Sequence, residues 1–241
     1  MLLAAAVCPH PPLLVPAVAA GAETETADLR TAALDAVRAL AATEPEAIVV
    51  VGTGSAAGTA RPGETGSLAG YGVDVTVALG DGPAPSEPRL PLSLTIGAWL
   101  LREVGYTGGA HGRVVAPSPV EDLAALGERI AAWPGRTALL VMGDGTAALS
   151  EKAPGYLDPR AAPFDAEVTA ALAAADAGAL LALDAGLASD LMVAGLPAWQ
   201  VLAGAVRGSA WRGTMRYSGA PYGVAYHVAS WEPAASSEPA G

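Results

Sequence analysis

The string Cys8-Pro9-His10-Pro11-Pro12 sets an imidazole two residues from a thiol, between prolines that stiffen the backbone on both sides. A rigid imidazole suits metal ligation or proton transfer near neutral pH. Cys8 becomes a nucleophile only with a base beside it, and His10 lies on the same side of an extended chain. A buried, inert thiol is the other reading of that residue. In Gly143-Asp144-Gly145-Thr146 the Asp144 carboxylate either binds a ligand or caps the turn by accepting backbone N–H groups. Downstream, residues 151–165 (EKAPGYLDPRAAPFD) are dense in turn formers, with Tyr156, Asp158 and Arg160 able to line a pocket or pin the loop. Gly52-x-Gly54-x-x-x-Gly58 follows an apolar run and resembles a phosphate-cradling turn with Gly54 and Ser55 inside it. It has one residue more than the dinucleotide fingerprint before its third glycine, and Asp74, the acidic residue further on, falls inside an expected strand. The remaining histidines, His111 in the expected Gly-rich loop TGGAHGR and His227 in the expected terminal strand of PYGVAYHVA, read as structural or solvent-facing.

These residues need elements to position them. Apolar runs at residues 2–8, 47–51 and 137–142 read as buried strands, and 72–79, 113–116 and 223–230 as further strands. Leu29, Ala33, Val37 and Leu40 recur at helical spacing within 24–42, with Thr24 or Thr26 available as N-cap. Helices are also expected over 92–104, 120–133, 163–177 and from 197 to 206, and a long loop over 80–91. Helices between buried strands imply an α/β fold: a single domain over residues 1–232, with a central, mostly parallel or mixed sheet flanked by helices. Residues 233–241 read as a flexible tail. In this arrangement His10, Gly54 and Asp144 all follow the carboxyl ends of strands, where open α/β sheets bind ligands.

The bulk composition sets the limits. With 241 residues, 52% of them hydrophobic and 15% charged, the chain can bury a sizeable core and does not read as disordered. The mean hydropathy of +0.38 raises the membrane question. The most apolar stretch, 191–206, is shorter than the roughly 20 residues of a spanning helix and contains Gly195, Pro197 and Gln200. No basic residue precedes the short apolar opening, so no secretory signal is expected. The formal net charge of −11 repels phosphate backbones and anionic lipid, arguing against nucleic-acid and membrane partners. Cys8 is the only cysteine, which leaves no internal disulfide or thiolate zinc cluster and fits a reduced, cytoplasmic setting. Trp199, Trp211 and the Ala-rich helices could support a homo-oligomer.

Several segments together resemble the LigB-like catalytic subunits of class III extradiol ring-cleavage dioxygenases, whose fold the Memo proteins share. CPHPPLLVPAV is similar to that family's PHPP opening, and EAIVVVGTGS to its strand ending in a Ser-Pro-His turn. VMGDGTAALSEKAPGYLDPRAAPFD resembles its Gly-Asp-Leu-Ser-His segment and the loop after it, while VAGLPAWQVLAGA and PYGVAYHVA resemble its last helix and closing strand. The resemblance implies Fe(II) held by two histidines and a glutamate, with another histidine as acid/base. Carried over by position, it keeps one of these, His10. The second metal histidine falls near Gly54, a further family histidine near Ile96, the acid/base Ser-His at Thr146-Ala147, and the third metal position near Ala194, with Asp190 the nearest carboxylate. The implied protein is a LigB-like fold that has lost ring cleavage and binds an unidentified small molecule or protein without a cofactor. Its pocket would draw on Cys8, His10, Gly54, Ser55, Asp144, Thr146, Tyr156 and Asp190. One alternative retains a dioxygenase, with Fe(II) or another divalent metal on His10, Asp144 or Asp190 and His111. The other is a small-anion-binding protein using the Gly52–Gly58 turn.

Overall fold

The computed structural model describes residues 1–19, 21, 23–85 and 87–234. From the amino end run β1 (Leu2–Cys8), a short 3-10 turn, α1 (Pro16–Ala19), α2 (Glu23–Ala41), β2 (Ala47–Thr53), β3 (Gly58–Ala60), β4 (Thr65–Ser67) and β5 (Thr76–Ala78). The chain continues through α3 (Leu92–Glu103), β6 (Gly109–Val115), α4 (Val120–Ala131), β7 (Thr137–Met142), α5 (Ala161–Ala174) and α6 (Ala177–Ala182). It closes with α7 (Ala185–Asp190), α8 (Leu196–Ala205), β8 (Trp211–Gly219) and β9 (Tyr226–Pro233).

Seven of these strands form one mixed sheet in the order β3-β6-β2-β7-β1-β9-β8. Its centre, β6-β2-β7-β1, is parallel, whereas β3, β9 and β8 run antiparallel to their neighbours. The central strands are apolar on both faces because helices cover both sides. Ile48, Val50, Leu140, Met142 and Val228 pack under α2 and α3, alongside Leu29, Val37, Leu94 and Leu100. Val49, Val51, Leu139, Val141 and Trp231 pack on the other face against Trp199 and Leu202 of α8, Val168 and Leu172 of α5, and Leu123 and Ile130 of α4. The single α/β domain read from the sequence is therefore present, with the mixed sheet at its centre.

Several boundaries differ. Only Thr76–Ala78 of the strand expected over 72–79 is extended, and it pairs with β4 in a separate two-stranded sheet. His111 sits inside β6, not in a loop, because its neighbouring glycine is a packing residue: a side chain on Gly112 would meet Leu94 at 2.5 Å and Ala60 at 2.7 Å. The helix expected over 163–177 begins earlier and breaks at Ala175 (φ +52°), after which Asp176 caps α6 through the Ala179 N–H (2.9 Å). β8 was not expected at all. The closing strand extends to Pro233, so the first residue assigned to the tail is paired with Trp211; residues 235–241 of that tail lie outside the described residues. Among the described residues no helix is long and apolar enough to cross a membrane.

Candidate functional site

Strand register brings the two strongest candidates together. β1 and β7 are parallel neighbours with Cys8 opposite Met142, so residues two further on, His10 and Asp144, emerge side by side at the carboxyl edge. The His10 backbone N–H donates to Asp144 Oδ1 at 2.7 Å, and His10 Nδ1 stands 3.5 Å from the same oxygen. The turn is tied down on both sides, since the Gly143 N–H donates to the Cys8 carbonyl (3.0 Å) and the Gly195 N–H to the Asp144 carbonyl (2.8 Å). Asp144 is thus both a turn-former and a side chain facing the imidazole. His10 is 8% exposed. Its Nδ1 and Trp199 Nε1 are buried without a hydrogen-bond partner, and buried polar atoms left unpaired are uncommon enough to mark a place where a ligand or water belongs. The two atoms bracket one turn: a side chain on Gly143 would lie 2.9 Å from Trp199 Nε1.

Tyr226 is also buried here. Burial, followed by the nearby Asp144 charge, pushes its hydroxyl well above the ordinary tyrosine range, so it remains a neutral phenol. Cys8 is fully buried, and burial pushes its thiol up to about 12, with Arg216 opposing weakly. A thiol this hard to ionise is not a nucleophile at neutral pH, which leaves Cys8 as a small core residue. Replacing Asp144 by Ala strips the His10 N–H of its acceptor. The expected cost is roughly 1–3 kcal/mol, the penalty for a donor left unpaired in the interior, measured by urea unfolding against the parent chain.

The other sequence candidates lie elsewhere. Gly54 and Ser55 follow β2, but the Gly54 N–H already donates to the Val115 carbonyl at 3.0 Å, and Ser55 is exposed. A side chain at Gly52 would strike Ser93 at 2.5 Å, and one at Gly54 would strike Val114 at 2.6 Å. These glycines let α3 and β6 approach closely. The segment then enters β3 rather than a helix, so no helix dipole faces the turn. Tyr156 is 61% exposed, and Asp190 stands at the surface, paired with Arg160 at 3.2 Å, which also pairs with Asp158. His111 does not approach His10. β2 and β7 separate their strands, three spacings of about 4.8 Å, and the His111 ring packs edge-on against Trp133 at 5.5 Å.

Thr146 leads to Asp165, which the sequence reading passes over, and to His227, which it reads as structural or solvent-facing and which is buried. The Thr146 hydroxyl and backbone N–H (3.1 Å) both donate to the Asp165 carboxylate, which faces His227 Nε2 at 3.4 Å. Asp165 is 62 residues from His227 and belongs to a different element, so no spacing in the sequence announces the pair.

The Fe(II) implied by the family resemblance needs two imidazoles and a carboxylate. At this edge the chain offers His10 and Asp144, with Gly54, Ile96, Ala147 and Ala194 where further family groups would stand. Among the described residues no group of three or more His, Cys, Asp or Glu side chains is placed to hold a metal ion. The residues present do not fit the group.

No family model matches the chain, and no curated protein matches it. The solved structures do contain folds of this kind. The crystal structure of an uncharacterized protein from Escherichia coli K12 is similar at 14% identity with a TM-score of 0.58, covering 95% of this chain and 99% of that one. At this identity the likeness concerns the path of the backbone alone.

Proposed function

We infer that this protein is a LigB-like fold that has lost ring cleavage and binds a small molecule at the carboxyl edge of β1 and β7. The carrying observation is the buried His10 imidazole beside the half-buried Asp144 carboxylate, its Nδ1 lacking a hydrogen-bond partner although both residues stand where α/β sheets seat ligands. Donor chemistry supports the loss of activity: one imidazole and one carboxylate fall short of a tight Fe(II) site, because each missing ligand or supporting partner costs affinity steeply. The single buried thiol supports a reduced, cytoplasmic setting.

Purified full-length protein supplemented with Fe(II) should retain well under one iron per chain and open no ring in a panel of catechols. One iron per chain together with ring-opened product would overturn the loss of activity. Calorimetric titration with the same catechols should show saturable binding that weakens at least about tenfold, or 1.4 kcal/mol, in His10→Ala. Identical titrations for parent and variant would overturn the assignment of the site to His10.

A further inference from the structure

The Asp165–His227 pair continues outward to a serine. Ser218 Oγ lies 3.1 Å from His227 Nδ1, and Thr169 Oγ1 lies 3.4 Å from that nitrogen and 3.2 Å from Ser218 Oγ. His227 and Asp165 are buried (1% and 7% exposed) whereas Ser218 is exposed. A wet hydroxyl therefore leans on a dry base, which in turn leans on a dry carboxylate.

The backbone shows how Ser218 gets there. Met215 pairs with Ala229, but Tyr217 pairs with Val228 and Ser218 with His227, so Arg216 is an extra residue on β8. Without that bulge, the regular alternation would set Tyr217 opposite His227 and turn Ser218 to the Tyr226 face. Bulges recur where a strand must re-aim a side chain. The proton positions follow from the partners. An ionised Asp165 only accepts, and it already takes the Thr146 hydroxyl and N–H. The hydrogen-bond network thus assigns the ring proton to Nε2, facing Asp165, and a free lone pair to Nδ1, facing Ser218.

We propose that Ser218, His227 and Asp165 form a serine acyl-transfer site acting on neutral esters of short apolar acids. A base within reach of the nucleophile, itself oriented by a third group, is the arrangement such chemistry requires. The groove beside it has a volume of about 280 Å³, with Leu149, Ala162, Ala166, Ala220 and Ala225 in its walls. That is room for a few carbons, and the net charge of −11 disfavours anionic substrates. The Ser218 hydroxyl proton passes to His227 Nδ1 as Oγ bonds to the ester carbonyl carbon. The resulting oxyanion collapses, the bond from carbon to alkoxy oxygen breaks, and the leaving oxygen takes the proton from Nδ1. Water, deprotonated in the same way, attacks the acyl-serine, releases the carboxylic acid and restores Ser218. Asp165 is a positioning residue that holds the ring and its tautomer. This site shares no side chain with the His10–Asp144 pair, so the two readings stand or fall separately.

The test uses the full chain with p-nitrophenyl acetate and a fluorophosphonate probe. One phosphonyl group should add, mapped by peptide mass to Ser218, and hydrolysis should fall at least about a hundredfold in Ser218→Ala. Because Ser218 is exposed, that variant should unfold at the same temperature as the parent. Asp165→Asn should lower kcat and leave KM nearly unchanged, a split that a purely structural carboxylate would not produce. An adduct on any other residue, no adduct, or equal hydrolysis by Ser218→Ala and the parent overturns the proposal.

Discussion

Gly127→Ala is expected to destabilise the protein by about 3 kcal/mol, at the upper end of the range for an overpacked core. Gly127 on α4 and Gly204 on α8 are both buried and face each other's backbone. A methyl on Gly127 would land against the Val201 carbonyl oxygen and lie 2.5 Å from the Ala205 nitrogen, while one on Gly204 would press into the backbone of Ala124. Side chains can swing aside, but a helical backbone cannot. The pair would have to separate, loosening Leu123 and Ile130 from Val201 and Leu202. Alanine gains close to 1 kcal/mol over glycine in a helix interior, so the expected figure is net of that. For a chain of this size it corresponds to a melting temperature lower by about 6–12 °C. Thermal unfolding followed by circular dichroism checks it, and a variant as stable as the parent would show that α4 and α8 do not pack this closely.

The second large effect is alkaline. The Cys8 thiol is pushed up to about 12 in the fold from an ordinary value of 9.0. The native state therefore holds this proton more tightly than the unfolded chain does. Stability from this group is fully present below pH 9 and declines as pH rises towards 12, by about 1.4 kcal/mol per pH step, or on the order of 4 kcal/mol across the window. Tyr226, also raised by burial, adds to the decline above pH 10. Between pH 9 and 10 the thiol is the cleaner contributor. Urea unfolding at pH 8, 9 and 10 should show a falling midpoint in the parent and a flatter one in Cys8→Ala. Parallel slopes would mean that the thiol is not sealed in the core.

The same burial explains what was legible in the sequence. His10 and Asp144 could be found because each follows a continuous apolar run ended by turn formers, and the parallel register of β1 and β7 sets them side by side. β8 was overlooked although its nine residues alternate without a break, Trp211, Gly213, Met215 and Tyr217 half-buried and the four charged or hydroxyl residues Arg212, Thr214, Arg216 and Ser218 exposed. A run only half apolar, with Gly213 inside it and no fully buried residue, gives a weaker strand signal than the continuous apolar runs of β1, β2 and β7. The glycines misled in the opposite sense. Gly52, Gly54 and Gly112 suggest loops and anion cradles when read alone, yet each makes room for a neighbour: Ser93, Val114 and Leu94 respectively. Asp165, Ser218 and His227 were unreadable for a different reason. They converge from a helix and two strands, and their meeting depends on one extra residue, Arg216, that no local pattern reveals.

β8 also forms the rim of the large sheet. An unpaired strand of that length is a template on which another chain could zip itself, and such pairing leads towards fibres. Here the bulge kinks the rim, and its Arg212 and Arg216 side chains lie back across the neighbouring strand, Arg212 held by Glu232 and Arg216 by the Ser230 hydroxyl. A straight, regular ribbon cannot follow that kink. The irregularity that turns a serine towards a histidine thus also makes this rim a poor template for a second copy of the chain.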